Sequence, residues 1–169
     1  TDAQRLDWLR LTRSEGIGPR TFRSLLNRFG GAAAALEALP DLLHSQGRSS
    51  SVVSLAAIED EVAQAEKLGV RFIAMGEPDY PPLLRLIESA PPVIGIRGRV
   101  SVAAKPSVAI VGSRNASAAG LKMAELIAVG LGKQAFVIVS GLARGIDAAV
   151  HRATLGFGTV AVLAGGHDR

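Results

Sequence analysis

The sequence predicts an α/β protein in which a parallel sheet, incomplete in this chain, is preceded by a small all-helical domain. Three observations predict it. First, runs of apolar and β-branched residues stop three times at a glycine-containing loop, in SVAIVGSRNAS (107–117), AFVIVSGLARGID (135–147) and TVAVLAGGHD (159–168). Strands that end in such loops and feed helices are the repeating unit of a parallel sheet. Second, Phe22, Leu25, Leu26 and Phe29 recur at i, i+3, i+4, i+7, the spacing of one helical face. Third, the polar run Ser45–Ser51 separates the two patterns and has the composition of a mobile loop or linker. The expected domains are therefore a helical module over 1–50 and an α/β domain over 51–169.

The elements follow in order. A first helix carries Leu6, Trp8 and Leu9 and breaks at Glu15-Gly16-Ile17-Gly18-Pro19, where the proline suits the first turn of the next helix. Gly30-Gly31 ends that second helix. An alanine-rich helix over 32–38 and a short one after Pro40 follow, divided there because proline removes a helical hydrogen bond. A longer helix runs from about Leu55 to Leu68. From Val70 the pattern turns to strands, with VRFIAM, a helix around Leu83–Ile87, PVIGIRG and then the three strand-loop units.

Composition narrows the function classes. With 169 residues and 48% hydrophobic content the chain holds enough apolar mass for a packed core. It has no apolar stretch of membrane-span length, and TDAQRLDWLR has neither the basic start nor the apolar core of a signal peptide. A soluble, cytoplasmic protein without membrane contact is expected. The absence of cysteine and the three scattered histidines leave no disulfide framework or metal cluster in prospect, and no cofactor is expected. Net charge is +4 and unevenly spread: residues 101–169 hold seven Lys/Arg against three Asp/Glu, while residues 1–100 hold twelve of each. Residues 1–30 add a second basic cluster of six arginines against three acids.

In a parallel sheet the glycine loops emerge together at the carboxyl ends of the strands, forming a narrow crevice suited to anions. Gly112 permits close approach, Ser113 offers a hydroxyl and an N–H, and Arg114 offers a planar fork. The second loop repeats the design: Ser140 ends the strand, and Gly141 and Gly145 frame Leu142, Ala143 and Arg144. Gly165 and Gly166 belong to the third. Asp147 falls in the first turn of the following helix, where its carboxylate satisfies that helix's orphan N–H groups and so supports the pocket; a contact to a base or sugar hydroxyl is the other reading. His151 packs beneath the loop.

Nucleotide fingerprints fail here. Gly112 is followed by Ser-Arg-Asn-Ala-Ser-Ala-Ala-Gly, not by G-x-G-x-x-G, and neither Gly112 nor Gly141 begins a P-loop. A Ser140, Asp147, His151 relay lacks the G-x-S-x-G elbow, and an Asp and a His on one helix are poorly placed to aim at a serine on the preceding strand end. No catalytic residue is expected. In the helical module, Gly16-Ile17-Gly18 resembles the hairpin of a helix-hairpin-helix motif, with Gly16 and Gly18 offering N–H groups and Arg20 and Arg23 offering charge for a weak DNA contact. The same residues also serve as a plain connector between packed helices.

Taken together, Tyr80-Pro81 with Leu83-Leu84, Pro91-Pro92, Gly95 and Gly98, Val111-Gly112-Ser113-Arg114, the run Val139 to Asp147 with His151, and Gly165-Gly166 before Asp168 resemble the DNA-processing protein A family, DprA or Smf. The resemblance covers about residues 75–169, and the glycine-hairpin module at 1–50 is similar to the family's SAM-like N-terminal domain. It implies an extended Rossmann-like domain and a non-catalytic protein. Such a protein binds incoming single-stranded DNA during natural transformation, shields it, and loads the RecA recombinase onto it. Contacts would lie at Gly112, Ser113 and Arg114 and from Ser140 through Gly145. The family continues past the third loop, so this chain is expected to hold three or four strands of a larger sheet, with the homodimer and RecA surfaces in the remainder. The competing reading is a Rossmann-like nucleotide-binding enzyme or sensor resembling the lysine-decarboxylase-like phosphoribohydrolases. Against it, Ala164-Gly165-Gly166-His167-Asp168 lacks that group's Pro-Gly-Gly-x-Gly-Thr pattern.

Overall fold

The computed structural model describes residues 2–45 and 52–167. The centre of the expected linker, 46–51, lies outside the described residues, as do Asp168 and Arg169. The chain forms two compact units, Thr1–Gly98 and Arg99–Arg169, so the packing boundary falls further along the chain than the compositional division at residue 50.

The first unit contains α1 (Asp2–Arg13), α2 (Pro19–Phe29), α3 (Ala32–Ser45), α4 (Leu55–Lys67), β1 (Val70–Ala74), α5 (Pro82–Arg85) and β2 (Val93–Arg97). Gly16, at φ 76°, makes the turn after α1, and Gly18 precedes Pro19 at the start of α2. Gly30 closes α2 in the left-handed conformation at φ 78°, donating its N–H to Leu26. The core gathers Leu11, Phe22, Leu25, Leu36, Leu39 and Leu43, with Trp8 set edge-on to Phe22 at 5.0 Å. Helix α3 runs through Pro40 without dividing. Ala32, Ala35, Leu36, Leu39 and Leu43 all bury on it, and that burial outweighs the hydrogen bond lost at proline.

Ser54 caps α4 by accepting the N–H of Ala57 at 3.2 Å, and Ile58 is its buried residue. Strands β1 and β2 pair antiparallel from Val70↔Arg97 to Ala74↔Val93. The VRFIAM and PVIGIRG segments thus form their own ribbon, packed on α1 and α4, and do not enter the parallel sheet. Tyr80 is buried and donates its hydroxyl to Pro91 O at 2.7 Å. Burial pushes that hydroxyl's pKa up, against the opposing pull of the Arg23 and Arg85 charges.

The second unit contains α6 (Val100–Ala103), β3 (Ser107–Ala109), α7 (Ala118–Lys133), β4 (Val137–Ser140), α8 (Ile146–Thr154) and β5 (Thr159–Ala161). The strands are parallel in the order β3-β4-β5, with Val108 opposite Ile138 and Ile138 opposite Thr159. Ser117 caps α7 by accepting the Gly120 N–H at 3.1 Å. Ala124 and Ala128 of α7 and Val150 of α8 bury together with Ile138, which places both helices on one face of the sheet.

Candidate functional site

Loops 110–117, 141–145 and 162–167 leave the carboxyl ends of β3, β4 and β5. The first two are locked together by close packing. Ile146 donates its N–H to Ser113 O at 3.2 Å. Gly145 sits at φ 87°, and a β-carbon there would come within 2.2 Å of Ser113 O. A β-carbon on Gly112 would meet Ile146 Cγ1 at 2.7 Å. Only glycine fits at either position without a rearrangement.

Asp147, in the first turn of α8 and 6% exposed, bridges the two loops. One carboxylate oxygen accepts the Gly112 N–H at 3.4 Å and the other accepts the Gly141 N–H at 3.2 Å. The glycine N–H groups are therefore engaged inside the protein, and these glycines serve packing. Among the described residues, the backbone N–H groups of Ser113, Arg114, Leu142, Ala143 and Arg144 have no acceptor. Among the described residues Arg114 and Arg144 are exposed and form no ion pair, whereas Arg5, Arg10, Arg13, Arg20 and Arg71 of the first unit are each ion-paired. Exposed cations beside N–H donors are chemistry that suits an anion.

Beneath the loops the polar groups are accounted for locally. Ser140 is buried and donates its hydroxyl to Ile110 O at 2.6 Å, while its own carbonyl accepts the Val162 N–H at 2.8 Å. Thr159 donates its hydroxyl proton to Ile138 O at 2.9 Å, so the 2.6 Å contact to His151 Nδ1 has the imidazole as donor. That fixes the tautomer and leaves Nε2 as a buried nitrogen without a hydrogen-bond partner. Burial holds the His151 pKa below its ordinary value; the Ser140 backbone and the Asp147 charge pull the other way without offsetting it. No chain of hydrogen bonds joins the Ser140 hydroxyl to His151 and Asp147.

The loop residues Gly112 to Asn115, Gly141, Leu142 and Arg144 are exposed, as are Gly165 and Gly166. The described residues thus present an open rim in place of the narrow crevice expected from the sequence. A β-carbon on Gly165 would meet nothing within 4 Å, unlike one on Gly112 or Gly145. In the helical module, Arg20 lies 3.4 Å from the Glu88 carboxylate, and Arg23 donates to the carbonyls of Ile87, at 3.3 Å, and Glu88. Arg23 is thereby engaged with the segment after α5.

Leu142 carries a feature that the sequence does not signal: φ is 58°, left-handed for a bulky apolar residue, and the residue is 52% exposed. Among the described residues no group of His, Cys, Asp or Glu is placed to hold a metal ion, and no helix is long and apolar enough to cross a membrane.

Comparison with known proteins identifies two matching families. DNA recombination-mediator protein A matches residues 71–169, and the DprA-like N-terminal HHH domain matches residues 2–64. Protein Smf of Synechocystis is 32% identical over 95% of this chain and 44% of its own length. DNA processing protein DprA of Streptococcus pneumoniae is 44% identical over 53% of this chain and 32% of its own length. The X-ray structure of that Streptococcus pneumoniae protein superposes with a TM-score of 0.72 at 25% identity, covering 100% of this chain and 59% of the other. The chain spans less than half the length of these curated relatives.

Proposed function

This chain belongs to the DNA recombination-mediator protein A family, and from that membership we propose that it binds single-stranded DNA without acting on it chemically. The observation that carries the reading is the rim of open N–H donors at Ser113, Arg114 and Leu142 to Arg144, flanked by two unpaired arginines. Phosphates held by backbone donors and guanidinium groups give affinity without sequence readout. The third loop, with Gly165 and Gly166, extends the same rim. A flexible strand can follow such a row and turn its bases aside, whereas a duplex presents phosphates on a rigid helix.

In this reading the protein shields incoming strands in the cytoplasm during natural transformation and loads the RecA recombinase onto them, working as a homodimer. Two supports stand behind its non-catalytic character: the Ser140 hydroxyl is spent on Ile110 O, and His151 is turned to Thr159. Asp147 and His151 then act as supports of the loops.

The test is a fluorescence-anisotropy titration of the intact protein with labelled oligothymidine and with the matching duplex, at two salt concentrations. Tighter single-strand binding that weakens with salt is expected. Arg114→Ala is expected to cost at least ~1.5 kcal/mol of that binding, as befits a charge-assisted contact. A folded protein that binds neither strand, or that binds and cleaves a nucleoside monophosphate, would overturn the reading.

A further inference from the structure

We infer that Leu142 is the surface on which a nucleobase of the bound strand rests. The inference builds on the single-strand reading above and adds the residue that meets the base. At φ 58° the Leu142 β-carbon crowds its own backbone, a conformation that glycine or asparagine adopts at little cost. Strain of this kind is retained at ligand clamps when the surrounding structure over-determines it. Here the surroundings do so: Gly141 is held by Asp147, and Ile146 by Ser113.

The strained residue is also 52% exposed. It stands in the middle of the open donors, with the N–H groups of Leu142, Ala143 and Arg144 beside it and the Arg144 guanidinium two residues on. A left-handed residue turns consecutive N–H groups toward one concavity, which suits an anion. In a nucleotide the base lies one sugar from its phosphate, so apolar surface beside phosphate donors is where a base arrives. No Phe, Tyr, Trp or His falls in loops 110–117 or 141–145, so the stacking surface within these two joined loops is aliphatic. A base has no charge to compete with the arginines, and its flat face removes the leucine from water.

The experiment compares oligothymidine with an abasic strand of equal length, both labelled, by anisotropy on the full chain. The variants are Leu142→Asn and Leu142→Gly, each checked by thermal melting; both residues tolerate the left-handed conformation, so the fold is expected to persist. The wild type is expected to prefer oligothymidine over the abasic strand by about fivefold or more, the scale of covering a half-exposed leucine. In both variants that preference should fall to within about twofold, since the Leu142 side chain is gone. A preference retained in both variants overturns the assignment, and so does a wild type that binds the two strands equally. A wild type that binds neither strand overturns the single-strand reading itself, and this inference with it.

Discussion

A β-carbon placed on Gly145 would stand 2.2 Å from the carbonyl oxygen of Ser113, nearer than any non-bonded contact allows. The left-handed φ of 87° adds a second reason for glycine. Gly145→Ala is therefore expected to lower the unfolding free energy by at least ~2 kcal/mol, because the loops must part to admit the methyl group. Urea denaturation measures it, and an unchanged midpoint would mean that the two loops are free to separate.

Asp147→Asn preserves shape and removes one acceptor. The amide has a single oxygen, so the N–H of either Gly112 or Gly141 must face an NH₂ group. A cost of about 1–3 kcal/mol follows from one buried donor left without its partner. Hydrogen exchange at these two glycine amides should accelerate, and protection equal to the wild type would argue against the carboxylate bridge.

His151 sets a pH dependence whose sign is fixed. Its folded-state pKa is lowered from 6.5, so the unfolded chain binds its proton more readily than the folded one. The neutral imidazole's contribution is fully present above 6.5 and is lost as pH falls through the folded value. His151→Gln should flatten that acid limb in thermal melts. A limb of unchanged steepness would assign the acid sensitivity to other groups.

Arg23 separates packing from binding. Its guanidinium holds the carbonyls of Ile87 and Glu88, so Arg23→Ala is expected to cost roughly 1–3 kcal/mol of stability through lost charge-assisted bonds. The salt dependence of strand binding should stay as in the wild type, in contrast to Arg114→Ala. A shallower salt slope in the Arg23 variant would return this arginine to the DNA surface.

Periodicity and glycine placement made most elements legible. The i, i+3, i+4, i+7 spacing from Phe22 to Phe29 is α2, and the three apolar runs before glycine loops are β3, β4 and β5. What escaped was decided by tertiary packing. Pro40 reads as a helix break, but the buried face from Ala32 to Leu43 carries α3 through it. VRFIAM and PVIGIRG read as strands, but nothing local tells a strand which partner it will find; they pair with each other. At the site, the types of Gly112, Gly141, Gly145 and Asp147 were legible. That one carboxylate would reach both glycine N–H groups was not, since Gly112 and Asp147 lie far apart in sequence. Leu142 was legible as part of the contact loop, but its conformation was not, because left-handed leucine is set by the loop's anchors and not by leucine's own preference.

The order β3-β4-β5, with α7 and α8 on one face, has a directional consequence. The chain adds each described strand on the same side of the last, without the reversal that draws loops apart into a central cleft. Neighbouring strands lie about 4.8 Å apart, so the three loop origins succeed one another like rungs, in steps of that size. A small ligand is best served by a single focus, but rungs serve something long. A strand bound as proposed would run crosswise to β3, β4 and β5, with the loop of Arg114 at one end and the loop of Gly165 at the other.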